Sequence, residues 1–541
     1  MTRATLQIDA LERDAFEALC LIRALKNKLA PINRIPPEVL ALIPDSWDTQ
    51  YKDKGAIPLT HVCRAWREMF ISRASLWTHF GCLDMDKTRV YLERSKSSPI
   101  TLWIGHWNDL SPHDPLLQVI PHATSRLKSL IVHTTPERLD HIITHLSQPA
   151  PDIEFLMISG GFGFEPASKP ILKTSLFSGD LSSLHSLHLM YARTELPWRN
   201  MVHLTSFSLH HILLEGAAIG QLLDFLDSAP RLESVKLESA TPTTGAQGGR
   251  LVSLDRLKLM SIRGDEPCSF LLDHLLIPVG AKLSMLTNTF SRGFAGHLPR
   301  SLNNLRNLPD FTDINLDFRG ACPKVRFTGP NGRVTLTSAS RQVDPTFLVF
   351  ECLAQIDTSK TERLEIHRGN PPSRDPPYQA LLRMKNLRIL KLTRCRSPHH
   401  FIRALHPSTN PSEAAVCPKL EDLDLVLRTN SETFNIKDLI NVAIARTLAG
   451  ALLRAVRIIG GQSEPDPDRM LELRKYVSHV EYVPTRNGAI DDNSDGIVDD
   501  SDEDSDDSDG SDGSVEDSGE DGGEDGGDGD GGDSDGGCEE G

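Results

Sequence analysis

Apolar residues recur along this chain on two distinct periods, and the change from one to the other divides it. Over residues 5–30 the apolar or small side chains Leu11, Ala15, Ala18, Ile22, Leu25 and Leu29 alternate in steps of four and three, which sets them along one face of a helix. That stretch is under four heptads long, so it is expected to act as an intramolecular prop for the neighbouring helices. Next comes RIPPEVLALI at 34–43. Proline is tolerated in the first turn of a helix, where its missing N–H would have no partner, so Pro36 and Pro37 read as an opening signal. Val39, Leu40 and Ile43 then share a face. A helix this short does not hold itself up in water, so the face must dock on something. A polar loop, DSWDTQYKDKG, leads to IPLTHVCRAWREMFI, in which Ile57, Val62, Cys63, Trp66 and Phe70 share a face and Arg64 and Arg67 turn outward. SLWTHF comes after it, then a charged helix, then YLERSKSSPITLWI, which ends in a strand-like run.

Beyond residue 120 the pattern changes. LKSLIV at 127, LHSLHL at 184, LTSFSL at 204, LESVKL at 232, LDRLKL at 254, LRILKL at 387 and LEDLDL at 420 share the form LxxLxL, with weaker copies in IEFLMI at 153 and FTDINL at 311. This is the strand-bearing half of a leucine-rich repeat, each copy supplying one short parallel strand that cannot bury its face without neighbours. Helical stretches such as AAIGQLLDFLDSAP and CSFLLDHLLIP lie between copies, so the unit is strand, loop, helix. Spacings run from 20 residues (184 to 204) to 33 (387 to 420), wider than the roughly 20 to 29 of regular repeats, so the array is irregular. KVRFTGPNGRVTLTS alternates around a Gly-Pro-Asn-Gly turn. It predicts a hairpin near 322–337 that interrupts the array and divides it into two arcs. Leu257 and Leu390 are expected to be buried between stacked units.

The order PINRIPPEVL, VCRAWR, SLWTHF and LERSKSSPITLWI, preceded by an amphipathic helix, resembles the F-box-like proteins expanded in basidiomycete fungi. The resemblance covers roughly residues 5–105. It implies that Ile35, Pro36, Val39, Leu40 and Ile43, with Val62, Cys63 and Trp66, form a helical surface that packs on a Skp-type adaptor within a cullin complex. The chain would then be the substrate-recognition subunit of an SCF-type cullin-RING E3 ubiquitin ligase, performing no chemistry itself. Ile35 stands where the family usually has Leu, and Pro44 where it usually has Phe, so the first helix is expected to stop early and lose one adaptor contact. The fold class expected is α + α/β. An N-terminal amphipathic helix (1–30) precedes a helical F-box-like domain (31–105), an irregular leucine-rich-repeat α/β solenoid (106–490) and a disordered acidic tail (491–541).

Charge sharpens this division. The formal net charge of the 541 residues is -16, yet residues 491–541 hold 24 acidic and no basic residues. The remainder carries 58 basic against 50 acidic residues, a net of +8. A tail of Asp, Gly, Ser and Glu cannot repay the entropy of ordering. Its Ser501, Ser514 and Ser518 each have an acid three residues on, as in acidophilic casein-kinase-type sites. Strand alternation is expected to show Lys236, Arg256, Lys258 and Lys391 on the open face, with Arg388 at its edge and Glu238, Asp422 and Asp424 among few carboxylates. Such a basic concave surface suits an acidic or phosphorylated protein target, and the tethered tail is expected to fold back on it. The alternative is a non-ligase leucine-rich-repeat scaffold whose acidic tail binds basic partners.

Nine single cysteines with no CxxC pair argue against a disulfide framework or zinc cluster and for reduced thiols in the cytoplasm or nucleus. No uncharged apolar stretch reaches about 18 residues, so no membrane partner is expected; no nucleic-acid partner is expected either. GGFGFEP at 160–166 is glycine-rich, but a proline stands where a phosphate-binding helix should start, so it reads as a loop. His133, His188 and His210 would line a strand face without a carboxylate at fixed spacing. In DDNSDGIVDDSD, Asp491, Asn493, Asp495, Gly496, Val498 and Asp502 match positions of a calcium loop, but neither flank can form a helix. No catalytic residue, metal or cofactor is therefore expected.

Overall fold

The computed structural model describes residues 3–484 apart from short segments, the longest at 44–56, 106–114, 162–170, 241–249, 288–296 and 407–414. Pro44, most of GGFGFEP and the whole of 491–541, with its calcium-loop-like start and three serines, lie outside the described residues.

The N-terminal region is helical: α1 (Arg3–Leu29), α2 (Pro37–Leu40) and α3 (Arg64–Ser72). The Pro36 carbonyl accepts the first helical hydrogen bond of α2 from Leu40 N at 3.1 Å, and Pro37 has no N–H to leave unpaired there. After one turn the helix gives way to tighter bonds from Leu42 N to Val39 O and from Ile43 N to Leu40 O. Leu40, Leu59, Trp66 and Phe70 form a small core, ringed by Ile35, Ile43, Cys63, Met69 and Leu76. The Trp66 ring meets Phe70 edge-on at 5.5 Å, and its Nε1 donates to Asn33 Oδ1 at 2.6 Å. Nothing comparable holds α1. Its side chains from Ala4 to Leu29 are all exposed, so the intramolecular prop expected of it is not formed.

Trp77 joins this unit to the rest. Wholly buried, it donates from Nε1 to Phe70 O at 2.9 Å and packs edge-on against Tyr91 of α4 (Met85–Arg94). Two residues later begins a 17-stranded sheet. In chain order its strands are β1 (His79–Gly81), β2 (Ile100–Ile104), β3 (Leu127–His133), β4 (Phe155–Ser159), β5 (Ser186–Met190), β6 (Ser206–His210), β7 (Ser234–Glu238), β8 (Leu259–Gly264) and β9 (Lys282–Thr287). They continue as β10 (Asp313–Asp317), β11 (Lys324–Gly329), β12 (Gly332–Ser338), β13 (Arg363–His367), β14 (Ile389–Thr393), β15 (Asp422–Val426), β16 (Ala455–Ile459) and β17 (His479–Val483).

From β1 to β9 each strand pairs in parallel with the next, and so do β13 to β17. Between them three strands enter in reverse order. β9 pairs in parallel with β12, β12 and β10 each pair antiparallel with β11, and β10 pairs in parallel with β13. Because both outer members of the meander run with their neighbours, the sheet passes through the β11–β12 hairpin without the division into two arcs expected from the sequence. Gly332 closes that hairpin at φ 134, and a Cβ there would lie 2.7 Å from Ala281 O.

Two hydrogen-bond devices recur along the sheet. One carbonyl accepts from two successive N–H groups as each strand begins: Glu154 O from His185 and Ser186, Glu233 O from Lys258 and Leu259, Arg388 O from Glu421 and Asp422. At the far end the next residue turns to positive φ and its N–H bonds the last carbonyl of the following strand. Tyr191, His211, Ser239, Arg368 and Arg394 all do this. Alternate strand residues are buried, as LxxLxL requires. Over them lie α5 (Pro115–Ala123), α6 (Pro136–His145), α7 (Ile219–Asp227), α8 (Ser269–Leu272), α9 (Pro345–Gln355), α10 (Asp375–Arg383), α11 (Pro398–Ala404), α12 (Ile436–Leu448) and α13 (Pro467–Leu473). From α9 to α13 each helix packs on the next.

The architecture is thus α + β, with a helical N-terminal region and one large mixed sheet. No helix among the described residues is long and apolar enough to cross a membrane. Burial pushes the thiols of Cys268, Cys352, Cys395 and Cys417 up to about 12, leaving them uncharged packing groups at neutral pH.

Candidate functional site

The face of the sheet away from the helices carries one side chain per strand in unbroken register. Reading across it the row is Trp103, Ile131, Met157, His188, Ser208, Lys236, Ser261, Ser284, Thr335, Arg326, Asn315, Glu365, Lys391, Asp424, Arg457 and Glu481. It is apolar over β2–β4, small and polar over β6–β9, and alternates in sign from β13 to β17. Such a strip offers hydrophobic contact at one end and paired charges at the other, which suits an extended polypeptide more than a small molecule.

The charges compensate one another. Lys391 Nζ is hydrogen-bonded to Glu365, His367 Nε2 lies 3.2 Å from the same carboxylate, and Arg457 lies 2.9 Å from Glu481. His367 first, with Lys391, holds the Glu365 carboxyl down at about 2 against the opposing effect of its own burial. A depressed carboxylate contributes stability that is present above its unfolded value of about 4.5 and is lost as pH falls toward 2. Glu365→Gln should therefore lower the melting temperature at about pH 6, and the gap to wild type should close near pH 2. A gap of equal size at both pH values, measured by scanning calorimetry, would refute this role.

Of the four target-binding residues expected from the sequence, Lys236 and Lys391 stand in the row. Arg256 and Lys258 do not. The repeat around 254 is framed three residues later than LDRLKL suggests: Leu257, Met260 and Ile262 take the buried positions, and the strand begins at Leu259. Arg256 consequently lies in the preceding turn, and Lys258 is tied to Glu233 at 2.6 Å. Glu238 and Asp424 do face outward, and Asp422 pairs with Arg454 at 2.5 Å. The uniformly basic surface expected from the sequence is replaced by a mixed one.

Register also assembles a group that spacing concealed. His210 pairs with Glu238 across β6 and β7, and with His211 these donors lie within 4.8 Å of one another. His210 Nε2 is 2.8 Å from the carboxylate, while burial lowers the His210 pKa. Arg263, 3.1 Å from the other oxygen of Glu238, brings a positive charge that opposes a cation. On the helical side a groove of about 350 Å³ lies between α11 and α12, spanned by the Arg403–Asp438 pair at 3.1 Å. Its lining, which includes Asn441, Val442, Ile444 and Leu448, sets no nucleophile beside a base.

The eight residues expected to meet an adaptor divide in two. Leu40 and Trp66 are buried inside the helical unit, and Ile35, Ile43 and Cys63 pack around them. Pro36, Val39 and Val62 remain on the surface, with Leu42 beside them. A four-residue helix has one turn to anchor, and Leu40 uses it to reach Trp66, so these two residues hold the unit together instead of facing outward. Comparison with protein families finds no family model that matches this chain, and comparison with curated proteins finds no significant relative.

Proposed function

We propose that this chain is the substrate-recognition subunit of an SCF-type cullin-RING ubiquitin ligase, in which a helical F-box-like unit binds a Skp-type adaptor and a leucine-rich-repeat solenoid holds the protein target. The observation that carries the reading is the row of sixteen outward side chains in continuous register, joined through Trp77 to a small helical unit with exposed apolar residues. A surface of that length is a docking platform. Its contribution to the reaction is proximity, since a target held near a loaded ubiquitin carrier reacts as if the encounter were intramolecular. The chain itself supplies no reacting group.

The adaptor surface is drawn from the residues left exposed: Pro36, Val39, Leu42 and Val62, with Val39 49 % and Val62 53 % exposed. Placing a charge at both valines should abolish adaptor binding without disturbing the Leu40–Trp66 core. Val39→Asp/Val62→Asp is thus expected to lose capture by a recombinant Skp-type adaptor while melting like wild type. Equal capture of the two proteins, or none of wild type, would defeat the adaptor reading. A second reading has its own support, because the burial of Leu40 and Trp66 lets the helical unit serve simply to cover the β1 edge. The chain would then be a non-ligase scaffold whose acidic tail binds basic partners, and wild type would fail the same capture.

A further inference from the structure

Helix α1 carries a seam that the described chain leaves uncovered. Ile8, Leu11, Ile22, Leu25 and Leu29 are between 53 and 68 % exposed. With Ala4, Ala15 and Ala18 they alternate in steps of four and three from one end of the helix to the other. That spacing is the heptad seam of a two-stranded coiled coil, so what fits it is another helix of the same period. Ile8, Ala15, Ile22 and Leu29 take the a positions, and Ala4, Leu11, Ala18 and Leu25 the d positions.

The residues flanking the seam say which helix. One flank reads Glu12, Leu19, Lys26 and the other Asp14, Leu21, Lys28. Each is acidic near the N-terminal end, apolar in the middle and basic near the C-terminal end. A parallel copy would set Asp14 beside Leu19 and Leu21 beside Lys26, wasting both charges against leucines. An antiparallel copy centred on residue 20 sets Glu12 against Lys26 and Asp14 against Lys28, each twice by symmetry. Leu19 and Leu21 then each face their own counterpart. The core layers agree: Leu11 faces Leu29, Ala15 faces Leu25 and Ala18 faces Ile22. Small residues meet large ones, as interdigitating layers require. The charges also follow the helix dipole, with basic Lys26 and Lys28 in the last turn.

We propose that α1 pairs with α1 of a second copy of this chain as an antiparallel two-helix coiled coil whose two-fold axis passes beside residue 20. The contact is isologous, so it closes on a dimer and does not propagate. It involves fewer than four heptads, so the dimer is expected to dissociate on dilution.

Sedimentation equilibrium of the full chain over a range of concentrations tests this. Wild type should move from monomer to dimer. Lys26→Glu/Lys28→Glu should weaken self-association at least tenfold, because each acidic flank then faces another, and Glu12→Lys/Asp14→Lys should do the same with basic flanks. An equimolar mixture of the two variants should regain the dimer, since every flank in the mixed pair meets its opposite. Direction is read by oxidation in a Cys20→Ser background: Leu21→Cys should give a disulfide-linked dimer and Ala18→Cys should not. A wild-type monomer at every concentration, charge variants that dimerise as wild type does, or a mixture that stays monomeric would overturn the pairing. Preferential crosslinking through Ala18→Cys would overturn its direction.

Discussion

Arg446→Ala is expected to destabilise the protein by about 3–5 kcal/mol. Arg446 lies on α12 with its side chain wholly buried. Its guanidinium donates to Val416 O at 2.7 Å, Cys417 O at 3.0 Å and Leu420 O at 3.5 Å. Those carbonyls belong to the turn that leads into β15, where Cys417 is held at φ 44. Among the described residues no carboxylate pairs with Arg446, and burial lowers its pKa. The charge is therefore stabilised by carbonyl dipoles, and the dipoles by the charge. Alanine would strand the carbonyls in a dry site and open a cavity beneath the turn. Arg446→Lys keeps a charge but not the planar fork that spans separate acceptors, so an intermediate loss is expected. Urea denaturation measures both, and a loss below about 1 kcal/mol for alanine would mean the turn is held by something else.

How far each element is legible in the sequence depends on where its constraint originates. LxxLxL marks a strand at 127, 184, 204, 232, 387 and 420 because alternate residues of a strand covered on one face must be apolar, and that demand is local. The pattern fails at 254, where two frames overlap in LDRLKLMSI and only pairing of Lys236 with Ser261 chooses between them. It also passes over TERLEI at 361, LRAVRI at 453 and VSHVEY at 477, where Thr361, Val456 and Val477 stand for leucines, although β13, β16 and β17 lie there. Charge balance on the open face was out of reach for another reason. Lys258 with Glu233, Lys391 with Glu365 and Arg454 with Asp422 each join neighbouring units, and no single repeat contains both partners. In the helical region the periodicity identifies Leu40 and Trp66 as needing cover. It does not say whether the cover comes from within the chain or from outside.

Leu390→Ala should cost about 2–5 kcal/mol, and Leu257→Ala should fall at the lower end of the same range. Leu390 is fully buried in β14, in register between Leu364 of β13 and Leu423 of β15. Strand ladders fix both neighbours, so they cannot collapse into the space a leucine leaves, and the cavity term adds to the lost burial. Leu257 sits in the turn before β8, closed by a 2.9 Å bond from its N–H to Leu254 O, where the chain has more freedom to relax. The loss at 390 should also stay local. In a row of strands that touch only their neighbours, stability is approximately a sum of unit and interface contributions. Amide hydrogen exchange in Leu390→Ala should accordingly quicken most in β13, β14 and β15, with β2–β7 near wild-type rates. Uniform acceleration across all strands would show instead that the sheet unfolds as a single cooperative block.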